Sequence, residues 1–172
     1  MQNYEALVVP GLLQTAEYTR AIIQGVAPTV SIAELDNLVA ARMARQAVLT
    51  RASAPQFFAV VDEGALRRPI GEPGVMHRQL HHLLGVAEQP HVTLRVVPIA
   101  AGAHAGLRGP FMILEFAEEP ALVYLENHGT EMFLEEEADL AAYRVALGNI
   151  LSTALAPAAT TELITRITTE IG

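Results

Sequence analysis

Residues 57–97 decide the fold, and they read FFAVVDEGALRRPIGEPGVMHRQLHHLLGVAEQPHVTLRVV. The run Phe57–Val61 is rich in β-branched and aromatic residues without a break, which is typical of a strand covered on both faces. A helical stripe follows it: Met76, Leu80, Leu83, Leu84 and Ala87. A second strand is predicted at Val92–Val97, before Pro98. Strand, helix and strand in this order predict a βαβ unit with two parallel strands and a right-handed crossover.

The flanking segments add helices and further strands. Upstream, Thr15 caps a predicted helix, and Ser31-Ile32-Ala33-Glu34 is a capping box for a second. The stripe of this second helix consists of Leu35, Leu38, Val39, Arg42, Gln46 and Leu49. Two of these residues, Arg42 and Gln46, are polar. Downstream, three short strands with turn residues between them predict an antiparallel meander: Phe111–Phe116, Leu122–Glu126 and Thr130–Leu134. Two helices follow, one after the acidic run 135–137 and one opening at Pro157.

Together these segments predict one α+β domain over residues 1–172. Its core is a mixed sheet of about five strands, formed by one βαβ unit and an antiparallel meander, and packed with N- and C-terminal helices. The helices and strands follow one another without a repeat or a linker-like tract, so we expect no division into smaller units.

The composition excludes several classes of protein. Hydrophobic residues make up 51% of the 172 residues and charged residues 17%, against a typical ~25% charged, so a disordered chain is excluded. The absence of Cys excludes disulfides and thiolate metal sites. The apolar runs are shorter than the ~20 residues that a membrane span needs, and no signal segment opens the chain. We therefore expect a cytoplasmic protein that does not bind membranes.

The charges are segregated along a chain whose formal net charge is −8. All eleven basic residues are Arg, and nine of them lie from Arg20 to Arg108. Residues 109–143 contain nine acids and no base. Nucleic-acid affinity comes largely from cations that neutralise phosphates, so we predict that this chain does not bind duplex DNA directly. A basic partner surface would complement the acidic region, although a solvated acidic face is the simpler interpretation.

The predicted parallel strands bring chemically active residues to one edge. Asp62 and Glu63 follow the first strand, and His104 lies in the glycine-rich loop 102–109 after the second. Ligands favour the carboxyl ends of parallel strands, so we predict a ligand- or partner-binding site there. Arg67 lies one helical turn after Glu63 and could join the site or simply form an ion pair with Glu63. The loop itself could equally be a flexible connection.

Other candidates are less specific. Glu126 is added to the ligand-binding set because strand alternation could turn it inward, although an outward-facing glutamate is the simpler interpretation. His77 and His81 have the i,i+4 spacing of zinc ligands but lack the His-Glu-x-x-His sequence, so no metal and no cofactor is predicted. The chain has no Gly-x-Ser-x-Gly nucleophile motif and no evident catalytic set. If it were an enzyme, Glu63 and His104 would be the acid and base.

Several segments together carry a family resemblance: Val9–Thr15 with Tyr18, Ala41-Arg42 with Arg45-Gln46, Asp62-Glu63 with Ala65–Arg68, Gly71, Met76 with Gln79-Leu80, Val97-Pro98, Gly102–His104, Gly109, Phe111, and Val123-Tyr124 with Glu126. From residue 4 to residue 171 the chain resembles the C-terminal domain of unknown function in actinobacterial Xre-family helix-turn-helix regulators. These are antitoxin-like transcriptional regulators of the WhiJ type. They are commonly encoded beside a small partner protein, which the C-terminal domain is presumed to sense, unless it senses a small molecule.

The resemblance implies a sensor or partner-interaction domain of a transcriptional regulator. It would bind a small-molecule effector or a small partner protein, and a homodimer is compatible with this role. The regulators' helix-turn-helix is not present in this sequence, so the sequence is either the effector domain or a stand-alone copy. The alternative is a stand-alone enzyme of secondary metabolism, of the cyclase or isomerase type, derived from that domain.

Overall fold

The computed structural model describes residues 1–72, 74–127 and 130–171. Within these ranges there are six α-helices: α1 (Ala16–Val26), α2 (Ile32–Gln46), α3 (Glu63–Arg67), α4 (Val75–Ala87), α5 (Glu137–Thr153) and α6 (Pro157–Ile171). The same described residues form six strands: β1 (Gln2–Glu5), β2 (Phe57–Asp62), β3 (Val92–Val97), β4 (Phe111–Leu114), β5 (Leu122–Asn127) and β6 (Thr130–Leu134). The helix boundaries agree with the caps: Thr15 Oγ1 accepts from Tyr18 N at 3.2 Å, and Ser31 Oγ accepts from Glu34 N at 3.2 Å.

The strands form one mixed sheet in the order β3-β2-β1-β4-β5-β6. β1, β2 and β3 are parallel neighbours, whereas β4, β5 and β6 continue from β1 as antiparallel neighbours. The predicted α+β class, the βαβ unit and the meander are therefore confirmed. The turn predicted between β5 and β6 contains residues 128 and 129, which lie outside the described residues.

The predicted count of about five strands is wrong, because the sheet has six. The missing strand is β1, which lies at the centre and joins the parallel half to the antiparallel half. Its Tyr4 is the register partner of Val60 on β2 and of Phe111 on β4. The sequence Gln-Asn-Tyr-Glu is polar at three of four positions, so hydropathy alone does not predict a buried strand there.

Each face of the sheet carries its own hydrophobic core. On the first face, side chains of β2 and β3 pack with helices α1, α4 and α6: Phe57, Ala59, Val61, Leu94, Leu80 and Ile164 belong to this first core. On the second face, side chains of five strands pack with α5: Tyr4, Val60, Val97, Phe111, Val123, Leu147 and Ile150 belong to the second core. The helices on the first face cover the parallel half of the sheet.

The connection between α5 and α6, together with Thr160 of α6, covers one edge of the sheet. At β3, Leu155 N donates to Val96 O at 2.8 Å, and Val96 N donates to Thr160 Oγ1 at 3.1 Å. Arg95 Nε also donates to Leu155 O at 2.7 Å. The opposite edge is β6, and none of the residues described pairs with its outer side. Within the same ranges, no helix is both long and apolar enough to cross a bilayer.

Candidate functional site

The loop between β1 and α1 is fixed by a buried glutamine. Gln14 is 2% exposed, and its Nε2 donates to Val9 O at 2.7 Å. Its Oε1 accepts from Thr19 Oγ1 and from Arg42 Nη1, both at 3.0 Å. Because a buried amide is costly unless it is fully bonded, this network fixes both the loop and the guanidinium of Arg42 on α2.

Two more glutamines hold the same loop from other helices. Gln79 of α4 donates to Leu13 O at 2.7 Å and accepts from Thr15 N at 2.7 Å. Gln46 of α2 donates through Nε2 to Gly11 O at 3.0 Å and to Gln14 O at 2.7 Å. The loop 9–15 is thus hydrogen-bonded to both α2 and α4, which gives the adjoining end of β1 a rigid support.

Glu5 lies at that end of β1 and has a strongly perturbed acidity. Burial raises the pKa of its carboxyl, and the charge of Glu126 raises it further. A hydrogen bond from Asn3 Nδ2 to Glu5 Oε1 at 3.5 Å and the charge of Arg42 act in the opposite direction, and the resulting pKa is about 7. A carboxyl that titrates near neutral pH beside a fixed cation is typical of functional sites.

Glu5 is partly buried and lies beside the part of the first face that the helices leave uncovered. Strand pairing aligns Asn3, Met112, Tyr124 and Phe133 in one row across β1, β4, β5 and β6. The rings of Tyr124 and Phe133 are 5.2 Å apart, and Phe133 is 58% exposed. We define the open face as the apolar residues on this side of β4–β6 that belong to neither core: Met112, Leu114, Leu122, Tyr124 and Phe133.

Carboxylates border the open face. Alternation along the strands places Glu5, Glu126 and Glu131 on the same side, each two residues beyond the row just described. Tyr124 Oη donates to Glu126 Oε2 at 3.4 Å. Burial first, and then the charges of Glu126 and Glu131, raise the pKa of Tyr124 to about 12. The open face therefore combines exposed apolar area with an acidic border and with Arg42, whose pKa is lowered by burial and by Arg45.

The cluster predicted at the carboxyl ends of β2 and β3 is present but internally paired. Asp62 Oδ1 accepts from Gly64 N at 2.8 Å and so caps α3, while Asp62 Oδ2 lies 3.5 Å from His104 Nε2. His104 Nδ1 accepts from Gly106 N at 3.2 Å, which assigns the proton of the neutral ring to Nε2, facing Asp62. The His104 side chain is 2% exposed.

Glu63 and Arg67 form a structural ion pair. Glu63 Oε1 accepts from Arg67 Nε at 2.6 Å, and Oε2 accepts from Ile99 N at 2.9 Å. Arg67 Nη1 also donates to Glu170 Oε2 of α6 at 2.6 Å. Burial alone would raise the pKa of Glu63, but the bonds from Arg67 and Ile99 outweigh it and the pKa is lowered.

The structure therefore brings together four of the five residues predicted from sequence, namely Asp62, Glu63, Arg67 and His104. It places Glu126 elsewhere, on the border of the open face beside Glu5. That any of the five binds a ligand stays a prediction. Sequence reasoning missed Glu5 and Arg42, although a polar Arg42 and Gln46 within an otherwise apolar helical stripe were a usable signal.

We expect Glu63→Ala to lower the free energy of unfolding by about 2 kcal/mol at pH 7, because it removes a buried, bonded carboxylate. A lowered folded-state pKa stabilises the fold above the unfolded pKa, and this contribution is lost as pH falls through the folded value. The difference from wild type should therefore shrink in acid. Urea unfolding at pH 7 and pH 3 measures it, with the exposed Glu162→Ala as control. Unchanged stability combined with weaker partner binding would instead make Glu63 a binding residue.

Tyr4 adds a buried hydroxyl to this cluster. Its ring lies edge-on to His104 at a centroid distance of 6.2 Å. Its hydroxyl is buried and has no hydrogen-bond partner in the described ranges. Burial first, and then the charges of Asp62 and Glu5, raise its pKa well above the ordinary value. Gly106 covers this side chain, because a Cβ at Gly106 would lie 2.3 Å from Tyr4 Cζ.

The histidine pair of α4 lies apart from both groups. The rings of His77 and His81 are 4.6 Å apart and line a shallow depression of about 340 Å³ between α4 and α6. A second depression of about 400 Å³ lies around residues 49–54, with Gln89 and His91. Over residues 1–72, 74–127 and 130–171, no three His, Asp or Glu side chains are grouped as metal ligands would be.

Comparison with known proteins gives one relationship. Residues 1–166 match the sequence family described as a domain of unknown function, DUF5753. Neither a curated protein nor a solved structure matches the chain.

Proposed function

We propose that this chain, which belongs to the DUF5753 family of domains of unknown function, is a binding domain and not an enzyme. One observation carries the proposal: the open face combines the exposed Phe133 with four partly buried apolar side chains that neither core uses, and Glu5, Arg42 and Glu126 lie at its border. Exposed apolar area with a polar border is typical of a protein interaction surface.

We further propose a small partner protein as the occupant, ahead of a small-molecule effector. The open face lies on an extended sheet, whereas most small-molecule sites are concave and enclose their ligand. The two depressions described above are shallow, and they lie away from the open face. A second copy of the chain is a weaker candidate, because two chains of charge −8 repel one another.

The resemblance to actinobacterial Xre-family, antitoxin-like regulators of the WhiJ type supports a role in transcriptional regulation, inside the cytoplasm. The chain itself would not contact DNA, because residues 109–143 hold nine acids and no base. Partner binding would act on an attached helix-turn-helix domain. Such control requires that the partner bind the two states of the regulator with different affinity.

The enzymatic alternative has less support. A cyclase or isomerase using Glu63 and His104 needs an acid and a base that reach the substrate. Both carboxylate oxygens of Glu63 are already bonded, to Arg67 and to Ile99 N. The His104 side chain is 2% exposed and faces Asp62.

The proposal predicts that Phe133→Asp weakens binding of the small protein encoded beside the regulator at least tenfold, or about 1.4 kcal/mol. The change places a charge in the exposed apolar area and leaves both cores intact. Titration calorimetry with the purified gene product measures it. Val145→Asp is the matched control, because Val145 is 74% exposed on α5 and lies outside the open face.

Two results would contradict this function. Equal weakening by both variants would show a general charge effect. Loss of binding in His104→Ala, with Phe133→Asp unchanged, would move the binding site to the carboxyl ends of β2 and β3.

A further inference from the structure

The two edges of the sheet differ in how they are protected. Chain segments cover β3, whereas the outer side of β6 has no partner within the described ranges. Residues 130–133 are exposed, with Met132 at 48% and Phe133 at 58%. An edge strand presents alternate N–H and C=O groups to solvent, and it can pair with another chain unless Pro, Lys, a bulge or a covering segment prevents it.

β6 has a feature that an added strand would correct. Its Glu131 is the register partner of Glu126 on β5, so two carboxylates lie directly opposite each other. Like charges in opposed positions destabilise a sheet. Glu5 lies on the same side of the sheet, and its pKa is raised in part by Glu126. A cation on a neighbouring strand, opposite Glu131, would relieve this repulsion.

A second copy of the chain does not supply that cation. Pairing β6 with β6 of another copy would bring together two acidic segments, each with Glu131 and the run 135–137. Such an edge resists self-association while it favours a positively charged partner. Protection against aggregation would explain the acidic residues of this edge. It does not explain why the apolar Met132 and Phe133 are exposed on the same strand.

We infer that a basic segment of the partner adds as a seventh strand beside β6. A Lys or Arg of the segment lies opposite Glu131, and an apolar residue two positions away lies opposite Phe133, on the same side of the sheet. This inference rests on the proposed function and names the chemistry of its partner. Backbone hydrogen bonds supply affinity, and the alternating basic and apolar side chains supply specificity.

The test uses a short capped peptide that repeats Arg-Thr-Val-Thr, added to the whole chain. We expect saturable binding and slowed amide hydrogen exchange at 130–134. Methylating alternate backbone nitrogens of the peptide should weaken binding tenfold or more, because it removes the strand hydrogen bonds and keeps the charge. Equal binding of the methylated peptide, or absence of protection in β6, overturns the inference.

Variants of the chain give a second readout. Glu131→Gln should weaken binding of the peptide, because it removes the charge that the Arg of the peptide faces. The fold should be retained, because the substitution is isosteric and removes the repulsion between Glu131 and Glu126. Glu118→Gln, exposed in the β4–β5 loop, is the matched control and should bind as wild type does. Equal affinity of Glu131→Gln and Glu118→Gln for the peptide overturns the assigned contact.

The inference and the proposed function can fail separately. If the neighbouring gene product binds through Phe133 and β6 shows no protection, strand addition is wrong and the proposed function stands. If the peptide adds to β6 but that gene product does not bind, the edge is a docking strand and the proposed partner is wrong.

Discussion

Gly106→Ala should destabilise the fold by about 3 kcal/mol, a large effect for a single methyl group. A Cβ at this position would lie 2.3 Å from Tyr4 Cζ and 2.4 Å from Tyr4 Oη. Tyr4 is fully buried on the central strand, so its ring has no free space to move into. The turn Ala105–Arg108 must move away instead, which separates His104 from Asp62.

Gly148→Ala is the matched control for this prediction. Gly148 lies inside α5, and a Cβ there meets nothing within 4 Å. Replacing glycine by alanine in a helix interior should therefore stabilise the fold, by up to ~1 kcal/mol. Urea unfolding of both variants measures the change in the free energy of unfolding, which should be negative for Gly106→Ala and positive for Gly148→Ala. If Gly106→Ala kept wild-type stability, the loop over Tyr4 would be readily displaced and the hydroxyl accessible to a ligand.

The parallel half of the fold could be predicted because its information is local. β2 and β3 are covered on the first face by α4 and α6, and on the second face they meet α5. β2 therefore appears as an apolar run, whereas β3 alternates, with Thr93 and Arg95 between its buried apolar residues. The helix stripes and caps are equally local, because each depends on residues within a few positions of one another. Given these elements, the geometry of parallel strands alone predicts that Asp62 and His104 lie close together.

β1 could not be predicted in the same way. Its Asn3 is buried, yet its Nδ2 donates to Phe111 O at 3.2 Å, a partner 108 residues away in sequence. A polar residue whose partner is so remote looks like a surface residue in the sequence. Without β1 at the centre, Glu5 has no position relative to β5, and its proximity to Glu126 cannot be inferred.

Arg42 depends on a second set of long-range contacts. The loop 9–15 is bonded by Gln46 from α2 and by Gln79 from α4, and Gln14 of that loop holds the Arg42 guanidinium. Hydropathy does not encode these amide bonds. The resemblance did include several of these residues, and the structure gives them a physical reason, which is the support of one loop.

Glu5→Gln should stabilise the fold by roughly 3 kcal/mol at pH 8 and have almost no effect at pH 4. The folded-state pKa of Glu5 is about 7, whereas an unfolded glutamate titrates near ~4.3. As pH rises between these values the unfolded chain loses its proton first, so wild-type stability falls over this window and stays lower above pH 7. Glutamine keeps the shape and never carries the charge, so it avoids the loss.

Urea unfolding of wild type, Glu5→Gln and the exposed Glu118→Gln at both pH values measures this effect. A variant less stable than wild type at pH 8 would show that Arg42 keeps the carboxylate charged and that burial is the smaller influence.

The protonation of Glu5 also reports on binding. A partner that also places a cation over the open face beside Glu5 and Glu126 favours the ionised carboxyl of Glu5, so formation of that complex at pH 7 should release a proton. Calorimetry in buffers of different ionisation enthalpy would detect that proton, and its absence would place the cation of the partner away from this border of the open face.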